Sequence, residues 1–247
     1  MDDQLTTNNL SESELVEYLT TYIHNISKNG TKVVALVGGP ASGKTTLASK
    51  LVESLGSAAF ISTDSYVKGD RNFRKTVIED QGVDPINKYD FSLLEENVRE
   101  ICNLKESEEI KVPEYDQASG IAIGKDPDKH SPENWHRTIG QVKHLIIEGD
   151  FQPLNKDLVD RIIYLDIPNE VRLENRLHRD LEARGEPDRE TVINRFNRSQ
   201  VAQFTPYTLP QKSLSDLVIK ADAKLLEQPT PKRKYDYIFS VIKNHSI

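Results

Sequence analysis

The stretch "GGPASGKTT", residues 38–46, sets Gly38, Gly43, Lys44 and Thr45 in the spacing G-x-x-x-x-G-K-[ST]. Each residue type has a mechanical reason to be there. Glycines let the backbone curl until successive N–H groups converge on phosphate oxygens. A helix beginning near Lys44 adds the positive end of its dipole. In such a loop the lysine reaches the β- and γ-phosphates and the Thr45 hydroxyl ligates Mg²⁺. The flanks agree. "KVVALV" (32–37) is an apolar, valine-rich run suited to a strand buried on both faces, and "TTLASKLVESL" puts Leu47, Leu51 and Leu55 on one helical face. Gly38, Gly39, Pro40, Ala41, Ser42, Gly43, Lys44, Thr45 and Thr46 are therefore expected to hold the phosphates of a nucleotide, ATP in the first instance.

Transfer of a phosphoryl group needs a metal near the β- and γ-phosphates, positive charge on the moving group, and an acceptor hydroxyl in line. Asp64 follows the apolar run "AAFIST" and Glu148 ends "HLII". Both fall where open α/β sheets place their chemistry, just past the carboxyl ends of strands. Asp64 suits a base that takes the acceptor's proton, with a helix N-cap as the plain alternative. Glu148 suits a metal-water ligand or a structural hydrogen-bond acceptor. In "VRLENRLHRDLEAR" (171–184), Arg172, Arg176 and Arg179 line a stripe beside Leu173, Leu177 and Leu181, with Arg184 near the end. That pattern reads equally as a solvated helix or as a lid that closes arginines over phosphates. The guanine-reading pattern N-K-x-D is matched by "NKYD" (87–90). Its place before any second acidic motif favours a helix entry instead, with Asp90 as the cap of "FSLLEENVREI".

The elements that must hold these residues alternate. Strands are expected at 32–37, 58–63, 144–149, 161–167 and 216–220, and helices at 11–27, 45–55, 91–103, 169–184, 188–204 and 233–243. Ser11 and Glu14 stand in capping-box spacing ahead of Leu15, Leu19 and Ile23. Such alternation implies crossover connections and a parallel sheet covered on both faces. Residues 105–140, polar and proline-containing, read as an acceptor-site excursion rather than a domain, and residues 1–30 as a helix packed on the domain of 31–247. A net charge of −7 argues against nucleic acid or an anionic membrane surface as partner, and the single cysteine, Cys102, fits a reducing compartment. With no signal-like start and no long apolar run, the expected location is the cytoplasm. Homo-oligomerisation is left open.

Taken together, these residues resemble the uridine kinase and phosphoribulokinase group of P-loop kinases, over most of residues 31–220. The resemblance rests on "GGPASGKTT", "STDSY", "VPEYD" for the family's P-x-Y-D, "LIIEG", and "RLENRLHRDLEARG" for its R-D-x-x-x-R-G lid. It implies an α/β P-loop kinase fold with a five-stranded parallel sheet and a helical lid at about 172–190. ATP and Mg²⁺ would sit on the loop, with a hydroxylated small molecule alongside. Asp64 would be the general base, Thr45 and Glu148 would organise Mg²⁺, and Arg179 and Arg184 would clamp phosphates beside Lys44. Tyr66 and Tyr115 would line the acceptor pocket, with Asp116 on sugar hydroxyls.

The chain departs from the pattern after "VPEYD". "QASGIAIGKD" carries neither the phenylalanine nor the histidine and arginine that help pyrimidine nucleoside kinases read base and sugar. Glu186 also stands where the lid often has an arginine, with Arg189 as a substitute. A nucleoside is the favoured acceptor, with a sugar, sugar acid or pantothenate-like alcohol as the alternative. A nucleotide-binding regulatory protein is the reading from another class.

Overall fold

The structure is a computed structural model that describes residues 4–69, 85–116, 121–123, 137–150, 156–183, 188–230 and 233–244. Strand β1 (Gln4–Leu10) precedes helix α1 (Glu12–His24). The helix starts with the expected capping box: Glu14 N–H donates to Ser11 Oγ at 3.3 Å, and Ser11 N–H to Glu14 Oε2 at 2.8 Å. Strand β2 (Lys32–Gly38), helix α2 (Lys44–Leu55) and strand β3 (Ala58–Ser62) follow, and Asp90 caps α3 (Phe91–Asn103) by accepting from Leu93 N–H.

The described part of the 105–140 stretch forms two short antiparallel pairs. Strand β4 (Glu109–Val112) pairs with β7 (Arg137–Gly140), and β5 (Glu114–Asp116) with β6 (Ile121–Ile123). Then come β8 (His144–Gly149), β9 (Arg161–Asp166), α4 (Asn169–His178) and α5 (Arg189–Ser199). Both of these helices end in wider π-type turns, over Arg179–Ala183 and Gln200–Thr208. Strands β10 (Leu217–Thr230) and β11 (Arg233–Lys243) close the chain.

The main sheet has the order β1-β11-β10-β9-β2-β8-β3. The five expected strands, β3, β8, β2, β9 and β10, run parallel, and β11 and β1 extend the sheet antiparallel. Residues 233–243 are thus a strand and not the expected helix. The reason is visible in "KYDYIFSVI": Tyr235, Tyr237 and Phe239 alternate along one face and stack side by side, 6.2 and 5.9 Å between ring centroids. A period of two in aromatic and β-branched residues fits a pleated surface better than a helix.

Buried residues divide by parity along β2. Val34 and Leu36 join Leu15, Leu19 and Ile23 of α1 and Leu47 and Leu51 of α2 on one face. Val33 joins Leu94, Val98 and Ile101 of α3 on the other. Helices therefore cover both faces, as the continuous apolar strands require. No helix among the described residues is long and apolar enough to cross a membrane.

Two aspartates set the strand register from the amino-terminal edge. Asp160, just before β9, donates its N–H to Val33 O at 2.8 Å and accepts from Val33 N–H through Oδ2 at 2.7 Å. Asp216, just before β10, does the same with Ile162, at 2.8 and 2.7 Å. A one-residue slip would turn every side chain to the wrong face, so this pinning matters at the opposite edge as well. Replacing Asp160 by alanine leaves the buried Val33 N–H without its acceptor and is expected to cost about 2 kcal/mol in a urea titration. Asp160→Asn, which keeps an acceptor oxygen, should cost less than half as much.

Candidate active site

Strand β2 delivers the chain to Gly38 at the carboxyl edge of the sheet, and residues 38–43 curl into α2. Gly43 sits in left-handed backbone, φ +90°. Four successive carbonyls of the loop are engaged by side chains. Lys44 Nζ donates to Gly38 O at 2.9 Å and Gly39 O at 3.0 Å, Arg172 Nη1 to Pro40 O at 3.4 Å, and Asn175 Nδ2 to Ala41 O at 3.3 Å. Carbonyls turned to protein partners leave loop N–H groups for an anion, apart from that of Ser42, which donates to Gly39 O at 3.2 Å. The first turn of α2 carries no acidic residue and no side-chain cap, and Ser42 Oγ is buried without a hydrogen-bond partner. Unmet donors at the positive end of a helix are what a phosphate requires.

Acidic groups line the floor. Glu148 is the last buried side chain of β8. Burial pushes its carboxyl above the ordinary range, against the pull of Lys44 and of a Ser62 hydrogen bond. A cation beside it would restore the charged form, so the residue fits a metal-organising role. Asp64 lies in the 3₁₀ turn Thr63–Tyr66, its N–H on Ser62 Oγ at 3.3 Å. The residue keeps an exposed surface, but its carboxyl is packed about by protein. That crowding, and next the charge of Asp150, raise its pKa, while Lys88, Lys44 and Arg179 pull it back down. Thr45 and Thr46 are exposed on the first turn of α2.

Comparison with known proteins gives this chain a family. The profile of the "Phosphoribulokinase / Uridine kinase family" matches residues 33–225. The chain belongs to that family. It is 29% identical over 191 residues to the uridine kinase of Borrelia duttonii, covering 76% of this chain and 85% of the relative. It is 28% identical over 203 residues to the uridine-cytidine kinase-like 1 protein of Mus musculus, covering 79% of this chain and 34% of that longer protein. Among solved structures, the D-glycerate 3-kinase of Cryptococcus neoformans superposes with a TM-score of 0.53 at 13% identity, over 90% of this chain and 97% of that one. The phosphoribulokinase of Rhodobacter spheroides gives 0.51 at 17%, over 82% and 74%. At these identities the structures speak for the fold, and family membership makes the chain a P-loop kinase, a phosphotransferase.

Within this kinase fold the arginines of the 172–189 stretch are held unequally. Arg172, 1% exposed, is locked by Ile167 O, Asn169 and Gln200 and lies over the Phe204 ring at 4.2 Å. It is a brace of the nucleotide loop. The buried carboxylate of Asp180 receives Arg176 at 3.3 Å and Arg179 at 2.8 Å. Arg179 keeps 39% of its side chain exposed, and its charge is felt at Asp64. Arg184 and Glu186 lie outside the described residues, and Arg189 pairs with Glu174 at 2.8 Å.

On the acceptor side, Tyr66 departs from expectation. It is fully buried against α3 and donates to Asn97 Oδ1 at 3.0 Å, so it forms no wall of the open cleft. Tyr115 packs with Val67, Tyr89 and Tyr207. Asp116 ends β5, with its backbone opposite Ile121.

Four residues of the cluster went unread in the sequence. Asp150 Oδ1 receives Lys44 Nζ at 3.0 Å, and Asp150 Oδ2 receives Gln203 Nε2 at 3.1 Å. Gln203 also accepts from Lys88 at 2.9 Å and donates to the Tyr89 hydroxyl at 3.4 Å. Asp150 was two positions from Glu148 and legible as a second strand-end acid. Lys88 and Tyr89 stood in "NKYD", noticed for a pattern they do not serve. Nothing local marks Gln203.

Two glycines permit the close approaches of this site, and each should fail differently. A Cβ on Gly39 would lie 2.0 Å from Arg172 Nη1, and one on Gly149 would lie 2.2 Å from Thr63 Oγ1. Gly39→Ala is expected to weaken nucleotide binding about tenfold or more by displacing the loop's brace. Gly149→Ala, which pushes away the turn bearing Asp64, should leave that affinity within about threefold. Titration with a fluorescent nucleotide reads both.

Proposed function

We propose that this kinase moves the γ-phosphoryl group of ATP, with Mg²⁺, to a hydroxyl of a small molecule, and that a nucleoside is the acceptor. The observation that carries the transfer is Asp64. It is an exposed residue just past the carboxyl end of β3, and the charges of Lys44 and Arg179 act on its carboxyl. A protein that only senses a nucleotide has no use for a proton acceptor there. The nucleoside is supported by the uridine kinase names of the relatives.

In this reading the loop from Gly38 to Thr46 binds the phosphates through backbone N–H groups and the end of α2. Lys44 leaves its loop carbonyls for the phosphates, because an ammonium gains more from anionic oxygens than from amide carbonyls. Thr45 and Glu148 would hold Mg²⁺, which would offset charge developing on the transferred group. Arg179, partly released from Asp180, adds positive charge over the same group, with Arg184 proposed beside it. Asp64 takes the proton from the acceptor hydroxyl as the new P–O bond forms. Tyr115 and Asp116 are proposed acceptor contacts. A hydroxy acid or sugar acid is the second reading, favoured by Lys88, whose positive charge acts on Asp64 and would meet an anionic acceptor group.

ADP release with Mg·ATP, measured against nucleosides, sugars, sugar acids and pantothenate beside an acceptor-free control, tests the proposal. Acceptor-dependent turnover with uridine or cytidine is expected. A rate only with a hydroxy acid moves the substrate, and none anywhere, with ATP still bound, leaves a nucleotide-binding regulator. Asp64→Asn should bind ATP normally and lose about a hundredfold or more in transfer.

The pH profile carries a signed expectation. Asp64 must be ionised to accept a proton, and its pKa is raised, so the acid limb of kcat/KM should lie above the ordinary aspartate value of about 3.9. Activity falls as pH drops through that limb. Asp150→Asn removes a like charge and should move the limb downward. An unmoved or rising limb would contradict the placement of Asp150.

A further inference from the structure

The amide of Gln203 stands where three remote parts of the chain meet. The π-type segment after α5 carries it, it is 8% exposed, and it is used at both ends. Oε1 accepts from Lys88 Nζ, and Nε2 donates to Asp150 Oδ2 and to the Tyr89 hydroxyl. The neighbours fix the orientation. A flipped amide would set its NH₂ against an ammonium and its carbonyl oxygen against a carboxylate. The second oxygen of Asp150 is already on Lys44. A continuous polar chain therefore runs from the nucleotide loop, Lys44 to Asp150 to Gln203, and on to Lys88 in the turn ahead of α3.

Lys88 is set from a second direction too. Its ammonium lies 4.8 Å from the centroid of the Tyr89 ring, and Tyr89 packs with Val67, Tyr115 and Tyr207. The turn is stitched to the segment after Asp64 by Lys68 N–H on Lys88 O at 2.7 Å and Asp90 N–H on Tyr66 O at 2.8 Å. Lys88 thus belongs structurally to the Asp64 side of the cleft, and Asp150 to the loop side.

We propose that Gln203 is a positioning residue for the transfer step, one amide that holds Lys88 beside Asp64 and Asp150 beside Lys44, so that the segment following the lid reaches both substrates at once. This rests on the kinase reading above, with Asp64 as base. Gln203 touches neither reacting group. It acts through Lys88 on the acceptor and through Asp150 on the phosphate side. A carboxamide suits the junction because it meets a cation and an anion simultaneously. A leucine would meet neither, and a glutamate only the cation.

The test uses the full chain, Mg·ATP, and whichever acceptor in the panel supports turnover. Gln203→Leu should keep the Kd for Mg·ATP within about threefold while acceptor kcat/KM falls about tenfold or more. Gln203→Glu keeps a partner for Lys88 but sets a like charge against Asp150, so acceptor KM should stay near wild type while kcat remains low. Lys88→Met should cost less in the Gln203→Leu background than in the wild-type chain, because the leucine has already removed one of the contacts that hold Lys88, the Tyr89 ring remaining. Losses that multiply in that double variant, or a loss confined to Mg·ATP binding, would overturn the proposal. Should Gln203→Leu not fold, the same cycle with Gln203→Glu decides it with the sign reversed: Lys88→Met must then remove the KM that glutamate preserved, and an unchanged KM overturns the proposal. Absence of acceptor-dependent turnover in the wild type removes the kinase reading and this inference together. Turnover with multiplying losses removes the inference alone.

Discussion

A loop that offers its N–H groups to an anion must dispose of its carbonyls, and this requirement organises the molecule around residues 38–41. Two of those carbonyls take the Lys44 ammonium, the third takes Arg172 and the fourth Asn175. Because Arg172 and Asn175 are both on α4, satisfying the loop also fixes the position of that helix. Tyr237 of β11 then meets Asn175, at 3.1 Å, so the antiparallel extension of the sheet is tied to the same helix. Buried polar groups tolerate no vacancy, so these parts are set together.

Charge on the cleft floor is balanced with no large excess. Asp64, Glu148 and Asp150 stand among Lys44, Lys88 and Arg179, and the raised pKa values of Asp64 and Glu148 show crowding and repulsion outweighing the cations at both sites. Substrate phosphates and a cation would arrive as a nearly compensating set, which fits a floor that already holds both signs. The acidic body of the protein, net −7, is no obstacle to a phosphate site, because the field that matters is set within a few ångströms by the loop and its lysine.

What could be read in the sequence was what adjacent residues decide together. Residues 32–55 form strand, loop and helix through local pattern, and the five parallel strands announced themselves as apolar runs. The capping residues Ser11 and Asp90 were legible for the same reason. Residues 233–243 were misread because their aromatic spacing satisfies a helical face loosely and a strand face strictly. Tyr66 was assigned to a pocket through the family resemblance of "STDSY", whereas the turn aims it into the core toward Asn97. The Asp150–Gln203 and Lys88–Gln203 contacts join residues 53 and 115 positions apart, and no local pattern reports a meeting of that kind.

The register aspartates, Asp160 and Asp216, sit on the edge of the sheet away from the nucleotide loop. Alignment of the strands is therefore decided where no ligand is expected, by bonds that no change of substrate disturbs. The opposite edge inherits its geometry and is left to vary in its loops. A lineage can then exchange "QASG" for another segment, or alter the residues at 88, 150 and 203, without renegotiating the fold. That separation of duties gives a shared scaffold room to acquire new acceptors.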